Sequence, residues 1–167
     1  AKELVVRAAK LDKRRAKAHY RRAVEYTLKV ESPKEAVALA RRIVDLNPVD
    51  PEAHGQLAEL YEKAGNENDA SQAYQRAIQL APQEFKYQLA LGDLQRRMSK
   101  PKDAFATYRA IIAGSSDEAV VLDATKRFIA LGREQGRTQE VERDLKQLSA
   151  ANPKSMAHYQ ALAELYR

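Results

Sequence analysis

The 167 residues contain no cysteine, so no disulfide can hold the chain together and the common structural zinc sets are excluded. That absence does not fix a compartment. There is no run of about 18 apolar residues, the length a membrane-spanning helix needs, and no charged, apolar, small-residue leader. Nothing in the sequence therefore predicts a membrane span or a targeting segment. The first residue is Ala1 rather than Met, and we read the chain as a piece of a longer protein. Motifs of catalysis are also missing. No strand pattern precedes a glycine-rich phosphate loop, and neither Gly-x-Ser-x-Gly nor His-Glu-x-x-His occurs. His19, His54 and His158 are the three histidines, too scattered for a metal cluster, and His54 is read as a packing residue. Glu59 and Glu62 lie one helical turn apart and are read as solvated carboxylates. We therefore predict no catalytic residue, no metal and no cofactor, and hence no enzyme.

One sign of charge is in excess only locally. Residues 1 to 50 hold 13 Lys and Arg against 7 Asp and Glu, whereas residues 51 to 167 hold 16 of each. The net charge of +6 is thus entirely N-terminal. Lys13, Arg14, Arg15, Lys17, Arg21 and Arg22 cluster there, a pattern that attracts a polyanion or acidic partner. A solvated helix face is the plain alternative.

Glycine and proline are few, six of each, and they punctuate a repeat. From Asp50 to Pro82 the pattern is two amphipathic helices joined by a tight turn, with Leu57, Ala58 and Tyr61 inward on the first and Ala70, Tyr74 and Ala77 inward on the second. Thirty-four residues later Leu91, Gly92, Ala104, Tyr108 and Ile111 occupy five of those positions, and thirty-four earlier stand Ala23, Ala36, Ala40, Ile43 and Pro48. Two antiparallel helices need small residues where their axes approach within about 8–10 Å. Ala58, Gly92, Ala70 and Ala104 supply them, and Tyr61, Tyr74 and Tyr108 fill the flanks, each needing a partner for its hydroxyl.

Helix boundaries follow from turn chemistry. Residues 3 to 30 contain neither Gly nor Pro and read as helix, with a break near Asp12 to Arg15 where an earlier unit would end. Ser32-Pro33-Lys34-Glu35 reads as a capping box, Asp50-Pro51 caps the next helix, Gly65 ends it, and Asn66 caps the one after. Pro101 aligns with Pro33 two repeats earlier. Ser116 to Pro153 spans 37 residues instead of 34, with Phe128 and Ile129 in the inward positions, which predicts a first helix about a turn longer. The expected units are 1–16 (the end of a preceding helical unit, or an N-terminal helix), 17–50, 51–84, 85–118, a divergent 119–154, and 155–167. In the last, Tyr159, Leu162, Ala163 and Tyr166 repeat the first-helix pattern and leave an apolar face that a second helix, or self-association, would cover.

The 34-residue period and the large–small pairs resemble the tetratricopeptide repeat family. The resemblance implies an all-α, right-handed α-solenoid of antiparallel helix pairs that acts as a protein-interaction scaffold. It further implies a concave groove lined by one face of each unit's first helix. Helical spacing then places Arg21, Arg22, Glu25 and Lys29, then Glu52, Gln56, Glu59 and Lys63, then Lys86, Leu89, Asp93, Arg96 and Arg97, and finally Lys126, Arg127 and Arg133 on that groove. Alternating basic and acidic strips suit an extended peptide or helix of mixed charge, with acidic residues opposite Arg96, Arg97, Lys126 and Arg127. The chaperone-carboxylate clamp of one branch of the family does not fit: Arg21 and Lys86 stand for two clamp cations, but Glu25, Gln56 and Ala90 replace the others, and Glu25 would repel the carboxylate. Two other readings stay open. The basic N-terminal region would bind nucleic acid or an anionic surface, or the repeats would be a regulatory arm of an enzyme whose catalytic domain lies elsewhere.

Overall fold

A computed structural model describes residues 3, 6, 7, 12, 15–30, 32–153 and 155–166. Among them the structure is all helix, in order α1 Ala16–Val30, α2 Pro33–Leu46, α3 Pro51–Lys63, α4 Glu67–Leu80, α5 Phe85–Arg97, α6 Pro101–Gly114, α7 Glu118–Glu134, α8 Thr138–Ala151 and α9 Met156–Leu165. Sequential helices pack as pairs, giving a helical repeat of the α-solenoid class. The chain divides into two compact units, Ala1–Pro82 and Gln83–Arg167, each with its own core. The basic residues Lys13 and Arg14, and most of the expected unit 1–16, lie outside the described residues.

Turn chemistry sets most helix ends. The Asp12 carboxylate accepts the Arg15 N–H at 3.2 Å ahead of α1, so the predicted break falls there and Ala16 opens a new helix. At α3, Asp50 Oδ1 accepts the N–H groups of Glu52 (3.1 Å) and Ala53 (3.4 Å), while Oδ2 takes the Lys17 ammonium from α1. Lys17 and those backbone donors hold the Asp50 carboxyl below its usual range. Two expected caps are not formed. The Ser32 hydroxyl accepts no bond from α2, where Pro33 at the first helical position, with its preset φ and missing N–H, starts the helix instead. The Asn66 side chain likewise caps nothing, its backbone at φ −96° and ψ 67° standing outside the extended conformation usual at an N-cap.

That stop signal recurs three times. At the end of α3, Gly65 N–H bonds Glu62 C=O at 3.0 Å and Asn66 N–H bonds Tyr61 C=O at 2.8 Å, the paired pattern of a Schellman cap around a left-handed residue. The same pair closes α5 around Ser99 and α7 around Gly136. Gly65 (φ +78°) and Gly136 (φ +65°) adopt that conformation without penalty, whereas Ser99 holds φ +58° with a side chain attached.

Each pair then buries the predicted faces. Leu57, Ala58, Tyr61, Ala70, Tyr74 and Ala77 are buried in the first unit, and Leu91, Gly92, Ala104, Tyr108 and Ile111 in the second. Every tyrosine hydroxyl of this set is bonded: Tyr61 accepts from Arg41 Nε at 2.7 Å, Tyr74 donates to Glu62 at 2.6 Å and Tyr108 to Asp93 at 2.7 Å. Ala70 and Ala104 are fully inaccessible. Ala70→Leu should therefore overpack its helix contact and lower stability by about 1–3 kcal/mol, while Gln75→Ala on the exposed side of α4 should leave a thermal melt unchanged.

The long repeat places its additional residues where expected: α7 has 17 residues against 13 in α3 and α5. Phe128 and Ile129 are buried as expected, and the close approach is at Gly132. A Cβ on Gly132 would stand 2.5 Å from Val141 Cγ2 of α8, so α8 crosses α7 nearer its C-terminal end. The added turn supports α9, which packs on α7 and α8. Glu118, at the start of α7, accepts from Ala157 N–H (2.6 Å) and the Ser155 hydroxyl (3.2 Å) at the N-terminus of α9. Arg133, near the end of α7, reaches the Leu165 carbonyl at the other terminus at 3.5 Å. A carboxylate at the N-terminus and a guanidinium at the C-terminus both match the helix dipole. The other side of α9 is open: Met156, Tyr159 and Tyr166 are 63%, 48% and 63% exposed.

Candidate binding faces of the two units

In the first unit α1 and α3 present the same kind of face. Arg21, Val24, Glu25 and Leu28 recur at helical spacing along α1, opposite Gln56, Glu59, Leu60 and Lys63 of α3, with Ala40, Ile43 and Ala53 beneath. Together they line an open cavity of about 180 Å³. Five of the eight groove residues expected in this unit, Arg21, Glu25, Gln56, Glu59 and Lys63, therefore surround one space. Arg22 and Glu52 do not line it, Glu52 instead accepting the Gln56 amide at 3.0 Å, and the Lys29 side chain lies outside the described residues. The apolar floor of Val24, Ala53 and Leu60 was not singled out in the sequence. Its signal was present, since Val24 and Leu28 follow Arg21 by three and seven residues.

Arg21, Glu25, Glu59 and Lys63 around this cavity have no ion-pair partner among the described residues. Arg21 is the sharpest case. Its Nε is buried yet meets no acceptor, and a buried donor left unmade costs about 1–3 kcal/mol.

The second unit's face is the opposite. Arg127 grips Asp123 through two bonds of 3.2 and 3.1 Å and closes an ion pair on Asp93 of α5, whose carboxylate also accepts the Tyr108 hydroxyl. Burial would depress the Arg127 guanidinium, but Asp123 and Asp93 outweigh it and raise its pKa. Burial, reinforced by the neighbouring Asp93 carboxylate, pushes the Tyr108 hydroxyl well above its ordinary range. Arg96 pairs with Glu134 at 3.3 Å, and Lys86 approaches Glu84 at 3.9 Å. Leu89 packs against the core. Lys126 and Arg97 are exposed. Arg96 and Arg127 are thus tied to carboxylates of their own unit, so the expected basic strip of Arg96, Arg97, Lys126 and Arg127 is not formed of unpaired charges.

His54 Nε2 lies 2.9 Å from the Pro48 carbonyl and ties the start of α3 to the preceding turn. The His158 side chain lies outside the described residues. Among the described residues no group of three or more His, Asp or Glu is placed to hold a metal ion, and no helix is long and apolar enough to cross a membrane.

A tetratricopeptide repeat family model matches residues 28–94. No curated protein matches. Among solved structures, MamA from Desulfovibrio magneticus RS-1 is 17% identical over 89% of this chain and 82% of its own, with a TM-score of 0.64. A tetratricopeptide repeat protein from Parabacteroides merdae ATCC 43184 is 17% identical over 99% of this chain and 64% of its own, with a TM-score of 0.70. YrrB, described as a TPR protein with an unusual peptide-binding site, is 17% identical over 99% of this chain and 84% of its own, with a TM-score of 0.60. At such identities these likenesses speak for the fold. The 34-residue period, the paired helices and the match over residues 28–94 agree on tetratricopeptide repeats in this chain.

Proposed function

We propose that the chain is a protein-interaction module whose first unit grips a segment of a partner protein on the α1–α3 face. One observation carries the reading. Arg21, Glu25, Glu59 and Lys63 stand around an apolar-floored cavity with no ion-pair partner among the described residues, whereas Arg127 on the second unit's face is fully engaged within the fold. YrrB's named peptide-binding site is a precedent within the fold.

The test is a pull-down from the cells that make the protein, with and without nuclease. It compares wild type with Arg21→Glu/Glu59→Lys in the first unit and Arg97→Glu/Lys126→Glu in the second. Reversal of Arg127 is unsuitable, because it would set a third carboxylate against Asp93 and Asp123 and damage the fold. Partner capture should survive nuclease, fall at least tenfold in the first-unit variant, and change little in the second. Capture that requires nucleic acid would instead support the basic N-terminal region as the binding element. Capture unaffected by the first-unit variant would remove the α1–α3 face from consideration.

A further inference from the structure

We infer that the cavity of the first unit is a side-chain pocket for a short segment of mixed composition: an aliphatic residue seated on Val24, Ala53 and Leu60, a neighbouring carboxylate on Arg21, and a neighbouring Lys or Arg between Glu25 and Glu59. The inference rests on the interaction reading above and specifies its partner.

Three features set the chemistry. The space of about 180 Å³ is close to the roughly 150 Å³ that accommodates a benzene-sized group in a protein interior, so a leucine, isoleucine or methionine side chain fits and a lone methyl group underfills it. The buried Arg21 Nε–H has no acceptor of its own. Arginine matches carboxylates with geometrically specific charge-assisted bonds, and the Arg21 side chain lines the cavity with no ion-pair partner among the described residues. Glu25 of α1 and Glu59 of α3 both line the cavity, and neither has a basic partner among the described residues. Two carboxylates facing one space disfavour a uniformly acidic ligand and favour a cation beside the aliphatic residue. A polyanion such as nucleic acid offers neither the apolar group nor the cation.

The test uses a phage-displayed library of random dodecapeptides selected against the full 167-residue chain. Enriched peptides should carry Leu, Ile or Met with Asp or Glu on one side and Lys or Arg on the other. Synthetic copies should bind Arg21→Met about tenfold more weakly, the loss expected from about 1.4 kcal/mol at a charged hydrogen bond, and should no longer distinguish the acidic residue from its amide. Leu28→Gln, at a rim position that is 37% exposed and so tolerant of substitution, should weaken binding without lowering the melting temperature. Peptides that bind equally well to both variants, or that enrich without the mixed pattern, would overturn the pocket while leaving a peptide-binding module in place. A selection that enriches nothing would count against both.

Discussion

Phe128→Ala should be the most damaging single truncation in the second unit, lowering its stability by about 3–5 kcal/mol. The ring is 1% exposed and sits in a continuous cluster with Tyr108, Ile112, Val121, Leu131 and Val141. It meets Phe105 edge to face, with centroids 5.4 Å apart at 90°, an arrangement that adds about 0.5–1.5 kcal/mol beyond simple burial. Phe105 also carries the Arg137 guanidinium over its other side, 4.3 Å from the ring centroid. Loss of Phe128 therefore removes apolar area, an aromatic pair and one wall of the site that positions Arg137. Urea unfolding followed by circular dichroism should show a lower midpoint with little change in slope. Phe128→Leu should recover more than half of the loss, because it restores most of the volume.

The second large effect comes from adding atoms. A Cβ placed on Gly92 would lie 2.5 Å from Tyr108 Cε1 and 3.0 Å from two further ring atoms, and Tyr108 is wholly buried with its hydroxyl committed to Asp93. The ring has no free direction in which to yield. Gly92→Ala should cost about 1–3 kcal/mol through overpacking, although alanine is the better helix former by nearly 1 kcal/mol. Tyr108→Ala alone should cost about 3–5 kcal/mol. Combined, the two should cost clearly less than their sum, because removing the ring vacates the space that the new methyl group enters. Strict additivity in chemical denaturation would show that Gly92 and Tyr108 do not make this contact. The equivalent position one repeat earlier is already Ala58, fully buried in its own unit. There the tyrosine hydroxyl goes to Glu62, four residues after the alanine, instead of to the residue beside it.

Much of the fold was legible in the sequence because its causes are local. The inward faces follow from a 3.6-residue period, and the helix ends follow from Asp50, Pro33, Pro101 and Gly65, whose conformational preferences act within a few residues. Where the reading failed, a short-range signal met a competitor. Asn66 looks like a helix cap, but its own N–H completes the Schellman pair of α3. Ser99 carries no glycine signal, yet it occupies the left-handed position that Gly65 holds one repeat earlier. The 37-residue repeat announced a longer helix correctly, and only the path of α8 across it set the close contact at Gly132.

The binding face divides the same way. Sequence by itself determined the repeat, the helix pairs and which side of each first helix the polar residues share, since spacing along a regular helix dictates direction. It could not say which charges remain available. Arg21 and Arg127 were both expected on the groove, yet Arg127 meets Asp93 thirty-four residues away and Asp123 one turn back on its own helix, while the buried Nε of Arg21 meets no acceptor. Ion pairing is settled by approach between separate helices at about 3 Å, a distance that tertiary packing sets and sequence spacing does not encode. For that reason only the folded structure separated the self-satisfied polar face of the second unit from the unsatisfied one of the first.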